Sequence, residues 1–161
     1  MNQSVLNSIS RVLIERRETV AVAESVTAGL ITNMLSRALN ATKFLQGGII
    51  VYNLGQKTKH LNVNPILADE VNCVSSQVAN QMAAEACRQF CSHWGISSTG
   101  YAVPVPALNI RTCFAHYSIY KDGETVVSDM IQTKLRGQGR VQQYFVDQLL
   151  LIFLRHLKQQ Q

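Results

Sequence analysis

The stretch from Thr19 to Gly29 constrains the fold more than any other part of the chain. Thr19 to Ala23 (TVAVA) is a short β-branched and apolar run, suited to a strand covered on both faces. Glu24-Ser25-Val26-Thr27-Ala28-Gly29 follows, and Leu30, Ile31, Met34, Leu35, Ala38 and Leu39 then recur at helical spacing. A strand that passes through a polar turn into an amphipathic helix opens a βαβ unit. Ser25 is thereby placed in the strand-to-helix turn.

The flanking segments extend this unit. Val5, Leu6, Ile9, Val12 and Leu13 mark a first helix ending near Arg17. Gly47-Gly48 precedes a second strand, Ile49 to Tyr52, and Asn53 to Lys57 leads into a short helix. Pro65 begins or interrupts the next segment. Ser75 is a plausible N-cap for a long helix reaching about His93, with Gly95 as its end. Ile96 to Thr99 forms a third strand, and Gly100 to Asn109, with Pro104 and Pro106, reads as a loop. Lys121-Asp122-Gly123-Glu124 is a hairpin signal between strands 112–120 and 125–133. A last helix runs from Arg140 to Leu157, with fraying expected at Gln159 to Gln161. The order αβαβααβββα predicts one α/β domain over residues 1–161: a three-layer α/β/α sandwich around a mixed sheet. Ser25, Tyr52, Lys57 and Thr99 all follow strands, and strand ends in such sheets feed a common crevice.

Composition removes several classes of function. A chain of 161 residues with 47% hydrophobic and 16% charged residues has enough apolar surface for one core without disulfides or metal. The longest apolar run, Leu149 to Leu154, is far short of a membrane span, and the first 17 residues lack a secretory h-region. A cytoplasmic protein with no membrane association is expected, with its four cysteines reduced. Cys87 and Cys91 form a C-x3-C pair without a partner pair, and His93 nearby does not complete a zinc signature. No metal and no cofactor are expected. The net charge of +5 is scattered, which suggests a small anionic ligand and argues against a nucleic-acid face of interleaved basic and aromatic residues.

Taken singly, the candidate residues have ordinary uses. A serine after a strand commonly caps the next helix, a lysine is commonly solvated, and a tyrosine commonly packs its ring and wets its tip. Taken together they suggest chemistry. A serine hydroxyl needs a base to act as a nucleophile, and a lysine supplies one when burial lowers its pKa. Tyr52 would pass a proton or orient a substrate, and backbone N–H groups of the Val26 to Gly29 turn would hold an oxyanion or phosphate.

Ala23-Glu24-Ser25-Val26-Thr27-Ala28-Gly29 resembles the A-E-S-C-T-G-G signature of the CinA C-terminal domain family, the bacterial nicotinamide mononucleotide deamidases. Four further features agree in order: Gly48 to Tyr52 followed by Lys57, Val74-Ser75 opening a long helix, Thr99-Gly100-x-Ala102-x-Pro104, and a closing amphipathic helix. The resemblance implies a three-layer α/β/α domain that is usually oligomeric. It also implies hydrolysis of the carboxamide of nicotinamide mononucleotide to nicotinic acid mononucleotide and ammonia. Carried over by position, Ser25 is the nucleophile, Lys57 its base and Tyr52 an assisting hydroxyl. Thr27, Gly29, Thr99, Gly100 and Arg140 would contact the substrate. Some relatives carry a second nucleotide-processing domain, which is not expected in 161 residues.

The sequence departs from the family pattern at several of these places. Val26 and Ala28 replace a cysteine and a glycine, Asn53-Leu54 replaces Ser-Asn, and Val103 replaces the glycine of A-G-P. The loop Val103 to Asn109 is apolar and proline-rich, Arg111 stands where a glycine is common, and Arg140 lies one position late. Arg140 has two readings, a phosphate ligand or a solvated charge. Two functions therefore stand: an amidohydrolase on nicotinamide mononucleotide or a related amide, and a catalytically degenerate member that binds a ligand or a protein. The Val103 to Asn109 loop discriminates them, because a loop that fills the pocket excludes the nucleotide.

Overall fold

In β1 (Val20–Glu24) every residue is buried, and the two faces of the strand serve different layers. Val20 and Val22 point into an apolar cluster shared with α1 (Gln3–Arg16), α2 (Leu30–Ser36) and α6 (Gln138–Gln159). Ala21 and Ala23 point the other way, toward α3 (Leu54–Leu61), α4 (Pro65–Glu70) and α5 (Ser76–Gln89). Helices thus cover both faces of a five-stranded mixed sheet of order β2-β1-β3-β4-β5, in a computed structural model that describes residues 2–159. The strands β2 (Leu45–Ile50), β1 and β3 (Trp94–Tyr101) are parallel, while β4 (Cys113–Lys121) and β5 (Glu124–Thr133) continue antiparallel. The three parallel strands end on one side of the molecule, where loops and helix starts surround a crevice.

Local signals explain most boundaries. Pro65 starts α4 behind an Asn64 cap, and the Ser75 hydroxyl accepts from the Val78 amide at the start of α5. Asp122 and Gly123 take positive φ in the turn between β4 and β5. No helix of the described residues is long and apolar enough to cross a membrane, and all four cysteines are free thiols.

Several boundaries differ from the sequence expectation. The strand β2 begins at Leu45 and ends at Ile50, so Gly47 and Gly48 lie inside it, where Phe90 and Thr32 pack against their bare backbone. The helix α2 stops at Ser36, three residues early. The helix α5 stops at Gln89 because Cys91 turns left-handed and the Ser92 amide bonds back to the Cys87 carbonyl. Gly95 therefore ends no helix. It lies within β3, and a Cβ there would stand 2.0 Å from the Ala83 carbonyl oxygen of α5. The strand β3 continues through Gly100 and Tyr101, and Val105 bridges Ile110 across a Pro106–Leu108 turn, so the loop has internal order. The helix α6 starts at Gln138 and includes Gln159, and the last two residues of the expected fraying lie outside those described.

Candidate active site

Ser25 follows β1 directly, and its amide donates to the Ser98 carbonyl of β3 at 3.0 Å. Lys57 lies in α3, which starts where the Asn53 side chain accepts from the Gln56 amide. Second-turn placement points Lys57 inward beside buried Leu61, and its Nζ donates to Ser25 Oγ at 2.9 Å and to the Val51 carbonyl at 3.2 Å. Lys57 is 2% exposed and Ser25 8%. Burial holds the Lys57 ammonium below the usual lysine range, with the neighbouring Cys73 acting in the opposite direction. At the far end of α3, Glu85 of α5 accepts from Asn62 at 2.9 Å and also pairs with Arg88. That contact fixes the helix carrying Lys57 against α5.

Glu24, the residue before the serine, organises the turn. Its carboxylate is fully buried and accepts five hydrogen bonds: from the amides of Gly29, Ile31 and Thr32 and from the hydroxyls of Thr27 and Thr32, all between 2.6 and 3.1 Å. A carboxylate at a helix N-terminus satisfies amides that otherwise have no acceptor. With Thr27 Oγ1 donating to Glu24, Ser98 Oγ donates to Thr27 at 2.7 Å. Thr27 and Gly29 therefore hold the turn in shape instead of lining the cavity. Among the described residues, the amides of Val26 and Thr27 have no acceptor, and Val26 borders the cavity next to Ser25. Ala28 takes φ 50, a left-handed conformation that favours glycine.

The cavity measures about 400 Å³ and has Ser25 and Lys57 on one wall. Tyr52 lies on its rim but is 62% exposed, beyond the end of β2, and its hydroxyl makes no hydrogen bond among the described residues. Thr99 lines the cavity, with its hydroxyl donating to the Cys73 carbonyl at 2.7 Å, so it clamps the α4–α5 connection. Gly100 also lines it, with its bare backbone facing the Phe114 carbonyl of β4. Arg140 is exposed and lies outside the lining, and Gln138 is the α6 residue that reaches it. The structure thus brings together Ser25, Lys57, Tyr52, Thr99 and Gly100 around one cavity, and leaves out Thr27, Gly29 and Arg140. The Val103 to Asn109 loop contributes only Val103, 45% exposed at the mouth, and leaves the cavity open.

Four further residues escaped sequence reasoning. Cys73 borders the cavity near Lys57, Asn72 donates to the Tyr101 hydroxyl at 2.8 Å on the far wall, and Gln142 of α6 donates to the Val26 carbonyl at 2.9 Å. Glu24 is the fourth, and an acidic residue just ahead of a helix start was the available signal for it.

The fold has known counterparts. The family model described as the CinA C-terminal domain matches residues 2–156. A CinA-like protein of Thermosynechococcus vestitus is 42% identical over 96 residues, covering 60% of this chain and 23% of that protein. A putative competence-damage inducible protein of Alkaliphilus oremlandii is 33% identical over the same length, again covering 60% and 23%. The chain thus spans about a quarter of the length of these curated relatives. Among solved structures, the competence or damage-inducible protein from Enterobacter asburiae superposes with a TM-score of 0.84 at 23% identity, over 96% of this chain and 97% of that one. The competence damage-inducible protein A from Klebsiella pneumoniae gives 0.86 at 20% identity, over 99% and 98%. These structures share the fold, and the family match over nearly the whole length means that the chain belongs to the CinA C-terminal domain family.

Proposed function

We propose that this domain hydrolyses the carboxamide of nicotinamide mononucleotide or a related amide, with Ser25 as nucleophile and Lys57 as general base. The observation that carries the reading is the 2.9 Å contact between a buried amine and a buried hydroxyl at the edge of an open cavity. In its neutral form, the Lys57 amine takes the Ser25 proton as Oγ attacks the carboxamide carbon. The Val26 amide, next to the nucleophile and without an acceptor among the described residues, supports the oxyanion. The Lys57 ammonium returns its proton to the leaving nitrogen, and ammonia departs. Water then attacks the Ser25 ester with Lys57 again as base, releasing the carboxylate.

Burial favours the neutral amine that this scheme needs. The test is ammonia release from nicotinamide mononucleotide and related carboxamides between neutral and alkaline pH. Activity is expected to rise with pH as Lys57 loses its proton, and to vanish in Ser25→Ala and Lys57→Met while both remain folded. Wild-type protein that releases no ammonia from any of these amides contradicts the reading. Ligand-induced thermal stabilisation without ammonia identifies a binding domain instead.

A further inference from the structure

We propose that the far wall of the cavity is a subsite for a vicinal diol, such as the ribose of a nucleotide amide, read by Asn72, Tyr101 and Asp69. The inference rests on the Ser25–Lys57 reading above and concerns the part of that substrate which does not react. The wall is built around one contact: Asn72 Nδ2 donates to the Tyr101 hydroxyl at 2.8 Å, and both residues line the cavity. A phenol oxygen that accepts from Asn72 keeps its own proton to donate, and among the described residues no acceptor takes it. Asn72 Oδ1 likewise receives no donor among the described residues. One free donor thus stands beside one free acceptor. Each hydroxyl of a vicinal diol both donates and accepts, so two neighbouring hydroxyls satisfy that pair. Asp69, three residues before Asn72, lines the same cavity, and its carboxylate has no side-chain partner among the described residues. A carboxylate accepts from sugar hydroxyls, as the acidic residue of dinucleotide-binding folds does from a ribose.

The geometry of the three groups is fixed from both sides. Tyr101 ends β3, and its ring meets Phe114 of β4 edge to face, with centroids 5.5 Å apart. Asn72 takes φ 48, a left-handed conformation that asparagine tolerates, and its amide donates to the Asp69 carbonyl at 3.2 Å. The Thr99 hydroxyl already ties this connection to β3 through the Cys73 carbonyl at 2.7 Å. The Asn72–Tyr101 contact is therefore not needed to hold the connection, and it lies where a ligand reaches it. The Thr99-Gly100-x-Ala102 motif leaves position 101 open, so this wall belongs to the chain's own sequence. A carboxamide placed at Ser25 and Lys57 sends the rest of a nucleotide across a cavity of about 400 Å³, toward these residues.

The experiment compares nicotinamide mononucleotide with its 2′,3′-dideoxy analogue, which differs only in lacking the diol. Dissociation constants are measured by titration calorimetry on Ser25→Ala, so that affinity is read without turnover. The corresponding product carboxylates, which carry no amide to hydrolyse, give the same ratio on wild-type protein should Ser25→Ala not fold. The diol is expected to improve affinity about tenfold or more, and Tyr101→Phe, Asn72→Ala and Asp69→Asn, each added to Ser25→Ala, are expected to reduce that ratio to about threefold or less. Affinity for the dideoxy analogue should stay nearly constant across the series, which a general disturbance of the fold would not produce. Equal binding of the two ligands, or a ratio that survives all three substitutions, overturns the proposal. Failure of both ligands to bind at millimolar concentration overturns it as well. Diol selectivity lost in these variants, together with no ammonia from the wild type, supports the subsite and refutes the hydrolase reading. Ammonia release without diol selectivity refutes the subsite alone.

Discussion

The two walls of the cavity are built by different means. On the Ser25 side the polar side chains of the turn are held by partners: Glu24 gathers five donors, Lys57 bonds Ser25 Oγ and the Val51 carbonyl, and Thr27 is bonded to both Glu24 and Ser98. On the opposite side Val103 is half-exposed and the following loop is tied mainly to itself through the Val105–Ile110 bridge. The rigid wall matches the family signature at Glu24, Ser25 and Lys57, and the looser wall carries the departures at Val103 to Asn109. Reactive groups need fixed geometry, whereas a mouth can change its lining and with it the ligand admitted.

The contrast is tested most severely by activity. Ser25→Ala and Lys57→Met are each expected to lower kcat by about 10³-fold or more, because nucleophile and base act as one unit. On the other wall, Val103→Gly is expected to change KM by less than about tenfold with kcat nearly unchanged. A comparable loss of kcat from Val103→Gly would break the contrast.

Stability gives the next largest effect. Glu24→Ala leaves three amides and two hydroxyls without their acceptor, and should cost roughly 3–5 kcal/mol in urea unfolding, since each orphaned buried donor costs about 1–3 kcal/mol before water enters. Leu108→Ala on the outer loop, where the residue is half-exposed, should stay within about 0.5 kcal/mol.

Acidity distinguishes the walls as well. Because burial lowers the Lys57 pKa, kcat/KM should rise about tenfold per pH unit until pH passes that lowered value. The same shift has a sign for folding. Between the lowered value and the ordinary lysine value the unfolded chain binds more protons at Lys57 than the native one, so this group makes stability rise with pH across that window. Below the lowered value its destabilising effect is complete. Lys57→Met should remove both the alkaline rise in activity and that part of the stability gain, as read by pH–rate and pH–melting profiles. The smallest expected effect is at Ala28, where φ 50 costs a non-glycine residue about 1 kcal/mol. Ala28→Gly should recover a few tenths of that in chemical denaturation, the remainder being offset by the flexibility of glycine in the unfolded chain.

The sequence revealed those parts of the fold whose signals are local. The TVAVA run, the start of the helix after Gly29, the Asp122-Gly123 turn, the Ser75 cap and the helix start at Pro65 depend on neighbours within a few positions, and each marks an element the structure contains. The motif also led to Ser25 and Lys57, 32 positions apart and hydrogen-bonded in the structure. Contacts set by distant packing were not legible. Gly95 looked like a helix end because its use against the Ala83 carbonyl depends on how α5 lies on the sheet. Thr27 and Gly29 read as ligand contacts by their position in the motif, while the fold shows both bonded to Glu24. Arg140 sits on the exposed side of the first turn of α6, a rotation of the helix that spacing alone does not fix.

The central claim is that Lys57 makes the Ser25 oxygen nucleophilic, and covalent labelling tests it most directly. Wild-type protein is treated with an excess of a serine-directed fluorophosphonate, and intact and peptide masses are recorded with time. The account predicts one adduct, on the peptide containing Ser25, and its loss in Ser25→Ala and Lys57→Met. Labelling of Ser25 at an unchanged rate in folded Lys57→Met, or a wild type that stays unlabelled at Ser25, would contradict it.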